Sequence, residues 1–504
     1  MAMPIYLQKI SAKIKDWHLV AAACLYSLIL AIYYKEISGV DIEYSYNSWT
    51  VHLLPREDLE GNLLESILHL NTQAPGFNIL AGIILKISSS NYYEIMHYFN
   101  IILGAISCGM TYFILFTITR NRLFAFVVSL VIISNPSIYL YEAMNLYELL
   151  TSYLIIQSVF FVSLYAQDKK SIYLILFVLT LNILSLTRGS FHLIIPLSGL
   201  IFSCLIVSRK DLLRVSLLSI LLCLPTLGWY AKNHIMFGFF GTSSWFGANL
   251  FSAVIGGHQF QDTPGSKSYV DNLLANGIIH PMVGRHLNVM PRMADVRREG
   301  FNKTSTIEFM NKENIFNINF IDVYKIYLHS AINLIKYDPL QWLKTISSSY
   351  EKYCRPSTVY KYHIYGRTRS ETGNAQKMAL PVFIYENIFL GKGWMVSVDQ
   401  KGGFKMGSIL FFVFPLSFLL YLVLLLRDGN YSLYSVVSCI NNNPTLLVIY
   451  AFVLYNTLVS CVLTYDENER YKFNIEQIFY TGFFGVCFLL LIGRTAHITR
   501  GLRA

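Results

Sequence analysis

Long apolar runs alternate with short polar breaks along this chain. A helix needs about 20 apolar residues to cross roughly 30 Å of hydrocarbon. Runs of that order fall at about 17–34, 95–118, 123–139, 146–166, 171–187, 190–208, 212–230, 406–426, 444–464 and 474–493. The pattern predicts an all-α polytopic membrane protein with ten spans, or eleven if the short apolar piece 76–87 also crosses. If it crossed, Arg120 and Arg122 would end outside, against the bias that keeps Lys and Arg cytoplasmic. The preferred reading is a juxtamembrane or re-entrant helix at 76–87. Between the runs, 46–54 and 59–70 read as short amphipathic helices lying on the membrane surface. The stretch 318–350 reads as two helices broken at Asp338–Pro339, with the proline opening the second.

Composition agrees with this reading. The chain is 54% hydrophobic and 14% charged, where a soluble protein carries about 25% charged residues. The net charge of +10 suggests nucleic acid only if its placement is ignored. The basic residues cluster at span ends: Lys13 and Lys15, Arg120 and Arg122, Lys169 and Lys170, Arg209, Lys210 and Arg214, Arg427, Arg494. That is the positive-inside pattern, and it marks cytoplasmic ends. No nucleic-acid partner is expected. Read this way, 35–75, 231–403 and 465–473 lie outside, and the first span is an uncleaved one. Three units follow: a transmembrane module over 1–240, a large extracytoplasmic segment over 241–403, and terminal spans over 404–504. The 8 cysteines form no disulfide framework or CxxC pattern, and the 12 histidines show no metal-ligand spacing. No metal or cofactor is expected.

The candidate chemistry lies at outer span ends. Asp41 and Glu43 follow the first span. They either mark its boundary or supply a general base held near apolar surface. Arg188, between LSLT and GSF, and Lys232, in GWYAKNH, break the positive-inside pattern. Such exceptions are better functional candidates than conforming charges. Arg470 and Tyr471 sit at the mouth of the last span, with Glu469 beside the arginine to hold it. A fixed guanidinium pairs with phosphate in a forked geometry. Glu142 and Glu148 lie near an outer turn, where they line a cavity or are simply wet. If Arg188, Lys232 and Arg470 converge with Asp41 or Glu43, the set suits transfer from a lipid phosphate to an acceptor hydroxyl.

Six segments, in order, resemble the polyprenyl-phosphate-dependent membrane glycosyltransferases of the C-type fold. That group includes protein O-mannosyltransferases and the lipid A aminoarabinose transferase. DIEYSYNSWTVHLL is similar to the acidic motif of the first external loop, although the adjacent Asp-Glu of many relatives is split here as Asp41-Ile42-Glu43. QAPGFNIL, which contains Gln73, resembles the Pro-Pro-Leu segment, with Ala74 in place of the first proline. NLYELLTSYL resembles the Ser-Glu turn at Glu148, and LSLTRGSFHLIIPL the Leu-Thr-Lys/Arg segment at Arg188. GWYAKNHIMFGFFGTSS resembles Pro-Trp-Arg-Asn followed by Phe-Gly, with Lys232 in place of arginine, and ENERYKFNIEQ resembles Glu-x-x-Arg-Tyr.

The resemblance implies a membrane glycosyltransferase that uses a polyprenyl-phosphate sugar donor on the extracytoplasmic face of a cell membrane such as the bacterial inner membrane. It implies a base at Asp41 or Glu43 and inversion at the anomeric carbon. Arg188, Lys232, Arg470 and Tyr471 would bind the donor phosphate, and Gln73, Glu148 and Glu469 would line the cavity. The acceptor is a lipid, glycan or protein hydroxyl. Two other readings share the topology: a lipid-linked oligosaccharide flippase, which would be expected to show repeat symmetry, and a polysaccharide polymerase or ligase.

Overall fold

The computed structural model describes residues 16–37, 40, 42, 53–256, 264–285, 318–355, 357, 395–398, 404–407, 410–428, 443–464 and 468–501. The chain is an all-α integral membrane protein. Its one described sheet is a hairpin of β1 (Met395–Val398) and β2 (Phe404–Gly407), paired antiparallel with Met395 opposite Gly407.

The membrane-sized helices are α1 (Asp16–Ile32, extended by a π-helical turn to Ile37), α5 (Tyr92–Thr119), α8 (Glu148–Asp168), α11 (Leu212–Phe237), α18 (Pro444–Leu463) and α19 (Asn468–Gly501). The expected span at 123–139 is instead two helices, α6 (Arg122–Ile133) and α7 (Pro136–Glu142), bent by 55°. Asn135 causes the break. Its side chain accepts from the Ser137 N–H at 2.9 Å and caps α7, while Pro136 occupies the first-turn position it tolerates. Where spans were expected at 171–187 and 190–208 stand α9 (Ser171–Thr187) and α10 (Ile194–Ile206), apolar helices of 17 and 13 residues, shorter than the membrane-sized ones. The second starts late because Arg188 to Leu193 fold into a turn, with the Phe191 N–H on the Arg188 carbonyl at 3.0 Å. At the expected span 406–426 lies α17 (Leu410–Asp428), whose apolar stretch Phe412–Leu425 is likewise shorter than the membrane-sized helices.

Residues 59–70 fall in α2 (Arg56–Gly61) and α3 (Leu63–His69); most of 46–54 lies outside the described residues. The apolar piece 76–87 is α4 (Gly76–Ile87), 12 residues long. At 1.5 Å per residue it reaches about 18 Å, too short to span. The described residues of the segment 241–403 include α12 (Phe246–Ile255), α13 (Pro264–Ala275), α14 (Pro281–Arg285), α15 (Ile318–Tyr337) and α16 (Pro339–Tyr353). The break between the last two lies where the sequence puts it. Asp338 accepts from the Gln341 N–H at 3.0 Å, and Pro339 opens α16.

Helix α5 packs on α1, α6, α8 and α19, and the main core joins α5, α8, α9, α17, α18 and α19. The end of α16 enters that core. Tyr353 is fully buried and its hydroxyl accepts from Asn456 of α18 at 3.0 Å. Helices α10 and α11 present their leucines outward, Leu205 and Leu213 among them, as lipid-facing helices do.

One end of the bundle collects the basic breaks. Arg122 pairs with Asp16 at 2.7 Å. Gln167 donates to Thr117 at 2.6 Å and the Tyr165 hydroxyl to the Ile206 carbonyl at 2.7 Å. These contacts tie together the ends of α1, α5, α6, α8 and α10. Arg120 and Lys169 end α5 and α8 in left-handed conformations, φ 55° and 56°, which turn the chain within two residues.

Candidate active site

The opposite end gathers residues from three distant stretches. Glu148 opens α8, Arg188 follows α9, and Arg470 and Tyr471 lie in the first turn of α19. The Glu148 carboxylate accepts a hydrogen bond from Arg470 Nε, and its Oε1 also forms an ion pair with Arg470 Nη2. The same oxygen, Oε1, lies 3.8 Å from Arg188 Nη1. All three side chains are almost wholly buried, Glu148 at 1% exposure and each arginine at 3%. Buried charges occur in pairs because isolated ones are too costly to desolvate.

Aromatic rings fix the two arginines. The Arg188 guanidinium lies 4.4 Å from the Tyr471 ring and 5.0 Å from the Tyr147 ring. Arg470 lies 5.7 Å from Tyr147. Each contact is favourable through the ring quadrupole and holds the planar group in one orientation. Burial drives the Tyr147 phenol well above its ordinary range, against the pull of Arg470 and Arg188. Tyr147 is therefore a neutral hydroxyl. Arg188 Nη1 and Glu148 Oε2 make no hydrogen bond among the described residues. Buried polar atoms are almost always satisfied, so these two atoms stand out in the cluster.

The described part of the loop after α1, from residue 53 to α4, packs against this cluster. A Cβ on Gly76 would stand 2.7 Å from the Leu186 carbonyl oxygen and 3.1 Å from Thr187 Oγ1, so α4 begins hard against the end of α9. Phe77 packs edge-on to Tyr147 at 5.7 Å. The turn holding half-buried Gln73 is gripped by residues 242–244. Ser243 donates to the Thr72 carbonyl, Ser244 donates to Asn71 from both its N–H and its hydroxyl at 2.9 Å, and Thr242 donates to the Gly189 carbonyl at 3.2 Å.

The contacts described for Lys232 run to the first loop and to Trp229 rather than to Glu148. Its ammonium donates to the Leu70 carbonyl at 2.6 Å and the Leu68 carbonyl at 3.1 Å, and it lies 3.6 Å over the Trp229 ring. It caps the end of α3, where unsatisfied carbonyls favour a cation. Arg470 is held by Glu148, 322 residues away, rather than by its neighbour Glu469, whose side chain lies outside the described residues. Asp41 and Glu43 also lie outside them. Val40, just before Asp41, is buried in a cluster with Tyr139, Tyr141, Met144 and Phe473.

Three participants, Tyr147, Lys472 and Glu476, were not singled out from the sequence. Tyr147 adjoins Glu148 but carries no charge pattern. Lys472 and Glu476 had a visible signal, opposite charges four residues apart at the start of a span. Both are buried and 3.7 Å apart; Lys472 donates to the Arg355 carbonyl, and Ser357 donates to Glu476 at 2.7 Å. They dock the end of α16 one turn from Tyr471. Glu142 is buried across the turn from Glu148, and its Oε1 has no hydrogen-bond partner among the described residues. Among the described residues, no three His, Cys, Asp or Glu side chains gather to hold a metal ion.

No family model and no curated protein matches the chain. Among solved structures it is similar to the archaeal oligosaccharyltransferase AglB from Archaeoglobus fulgidus, solved in complex with an inhibitory peptide and a dolichol-phosphate. The identity is 12% and the TM-score 0.43, over 97% of this chain and 51% of that one. The chain therefore spans about half the length of that protein.

Proposed function

We propose that the chain is a membrane glycosyltransferase that moves a sugar from a polyprenyl-phosphate donor to a hydroxyl acceptor on the extracytoplasmic face. One observation carries the reading: a buried, ring-stacked Arg188 whose Nη1 has no hydrogen-bond acceptor among the described residues. A phosphate oxygen supplies that acceptor. Arg470, in the same cluster, adds a second fork.

In this reading Asp41 or Glu43 takes the acceptor proton as the acceptor oxygen attacks the anomeric carbon. The bond from that carbon to the phosphate oxygen breaks, and the configuration inverts. The polyprenyl phosphate leaves with the electron pair. Arg188 and Arg470 stabilise the charge that develops on it, in a site with little water to screen them. Glu148 keeps the two guanidiniums together before the donor arrives. Lys232 sets the frame by holding the end of α3. The outward orientation rests on the charge rule: Arg122, Lys169 and Lys210 stand at the other end of the bundle.

The test is transfer from radiolabelled polyprenyl-phosphate sugars in membranes. Arg188→Ala and Arg470→Ala raise the donor KM or abolish transfer, and Asp41→Asn or Glu43→Gln removes turnover. Unchanged kinetics in both arginine variants removes them from the donor site. Full activity in both carboxylate variants removes the proposed base.

A further inference from the structure

The basic end of the bundle, opposite the candidate active site, contains an opening of about 380 Å³ between four helix ends. Lys169 and Tyr165 line it from the end of α8, Ser208, Lys210 and Asp211 from the turn between α10 and α11, and Pro444 from the start of α18. We propose that this opening binds the anionic headgroup of a membrane phospholipid.

Charge and shape support the assignment. Lys169 is set by its left-handed backbone, φ 56°, and its ammonium lies 5.3 Å from the Tyr165 ring. Asp211 is the acidic member of the lining, and its carboxylate accepts from the Ser208 hydroxyl at 3.0 Å. Two membrane-sized helices, α11 and α18, start here, and neither carries a side-chain cap. Their positive dipole ends therefore add to the two ammonium groups. The positive-inside rule explains why lysines lie at this end; it does not explain an opening between them.

The neighbouring surface selects a lipid over a soluble anion. Leu205 is 75% exposed just before the opening on α10, and Leu213 is 71% exposed just after it on α11. Leu217 continues that exposed apolar surface one turn further along α11. A headgroup in the opening would lay its acyl chains along these leucines. Basic pockets between spanning helices are established headgroup sites in membrane proteins in general.

The test uses the full-length protein released from nanodiscs, with retained lipid counted by native mass spectrometry. Phosphatidylglycerol and phosphatidylcholine of identical chains compete. At about 1 kcal/mol per lysine, the two lysines give a preference for the anionic lipid of roughly 30-fold. Lys169→Gln or Lys210→Gln each reduces it about fivefold, and the double variant abolishes it. Arg214→Gln, on α11 but outside the lining, leaves it intact. The neutral glutamines keep side-chain size, and monodispersity after release confirms that each variant is folded. Equal retention of the two lipids, or a preference surviving in the double variant, overturns the assignment. Release of the lipid by millimolar inorganic phosphate assigns the opening to a soluble anion and overturns it too.

Discussion

Glu148→Gln is the most informative single change. It keeps the volume and one carbonyl oxygen, but removes the charge shared by Arg470 and Arg188. At 3.8 Å and an effective dielectric of about 20, the Arg188 contact alone is worth roughly 4 kcal/mol of attraction. That agrees with the 3–5 kcal/mol typical of breaking a buried pair from one side. Glu142→Gln is the internal control. Glu142 is equally buried on the same turn but forms no ion pair among the described residues, so neutralising it costs under about 1 kcal/mol. Thermal unfolding in detergent, with and without a polyprenyl phosphate, reads both effects. Glu148→Gln should unfold well below wild type, and polyprenyl phosphate should restore more of the loss than it adds to wild type, because its phosphate replaces the missing anion. An equal ligand shift in both proteins, or equal stability of the two glutamine variants, refutes the coupling between Glu148 and the donor phosphate.

Three further outcomes follow from the geometry. Gly76→Ala drives a methyl into the Leu186 carbonyl, costing about 1–3 kcal/mol, and lowers transfer by moving the first loop off Arg188; unfolding and transfer assays should both register it. Lys232→Met removes two hydrogen bonds at the end of α3, lowering stability by about 1–2 kcal/mol while leaving the donor KM unchanged; a raised KM would instead put Lys232 on the phosphate. Cys354 is buried, and burial pushes its thiol up to about 12. Its neutral form therefore dominates at pH 8, and with the other cysteines replaced it should resist maleimide until the protein is denatured; rapid labelling would show that the end of α16 leaves the bundle.

Local features were legible where local chemistry decides the outcome. The break at Asp338–Pro339 is set by a side-chain cap and a proline, both readable within four residues. The shortness of α4 follows from the 12 residues available to it. The bend at Asn135–Pro136 was harder to read. The same pair that stops a helix also starts the next, and only the packing of α7 against its neighbours shows that the chain continues as helix.

The sequence alone determined that the protein lies in a membrane, because apolar length and the sparing use of charge are properties of composition. It also flagged Arg188 and Lys232, since a cation at the wrong end of a span stands out against a charge rule, and Arg470 by its place at the mouth of the last span. Tertiary structure alone decided their partners. Glu148 reaches Arg470 across 322 positions, while Lys232, equally conspicuous in the sequence, turns to the carbonyls of α3. Ion pairs and ring contacts act over a few ångströms and take no account of sequence separation. Which buried charge meets which is therefore fixed by how the helices pack.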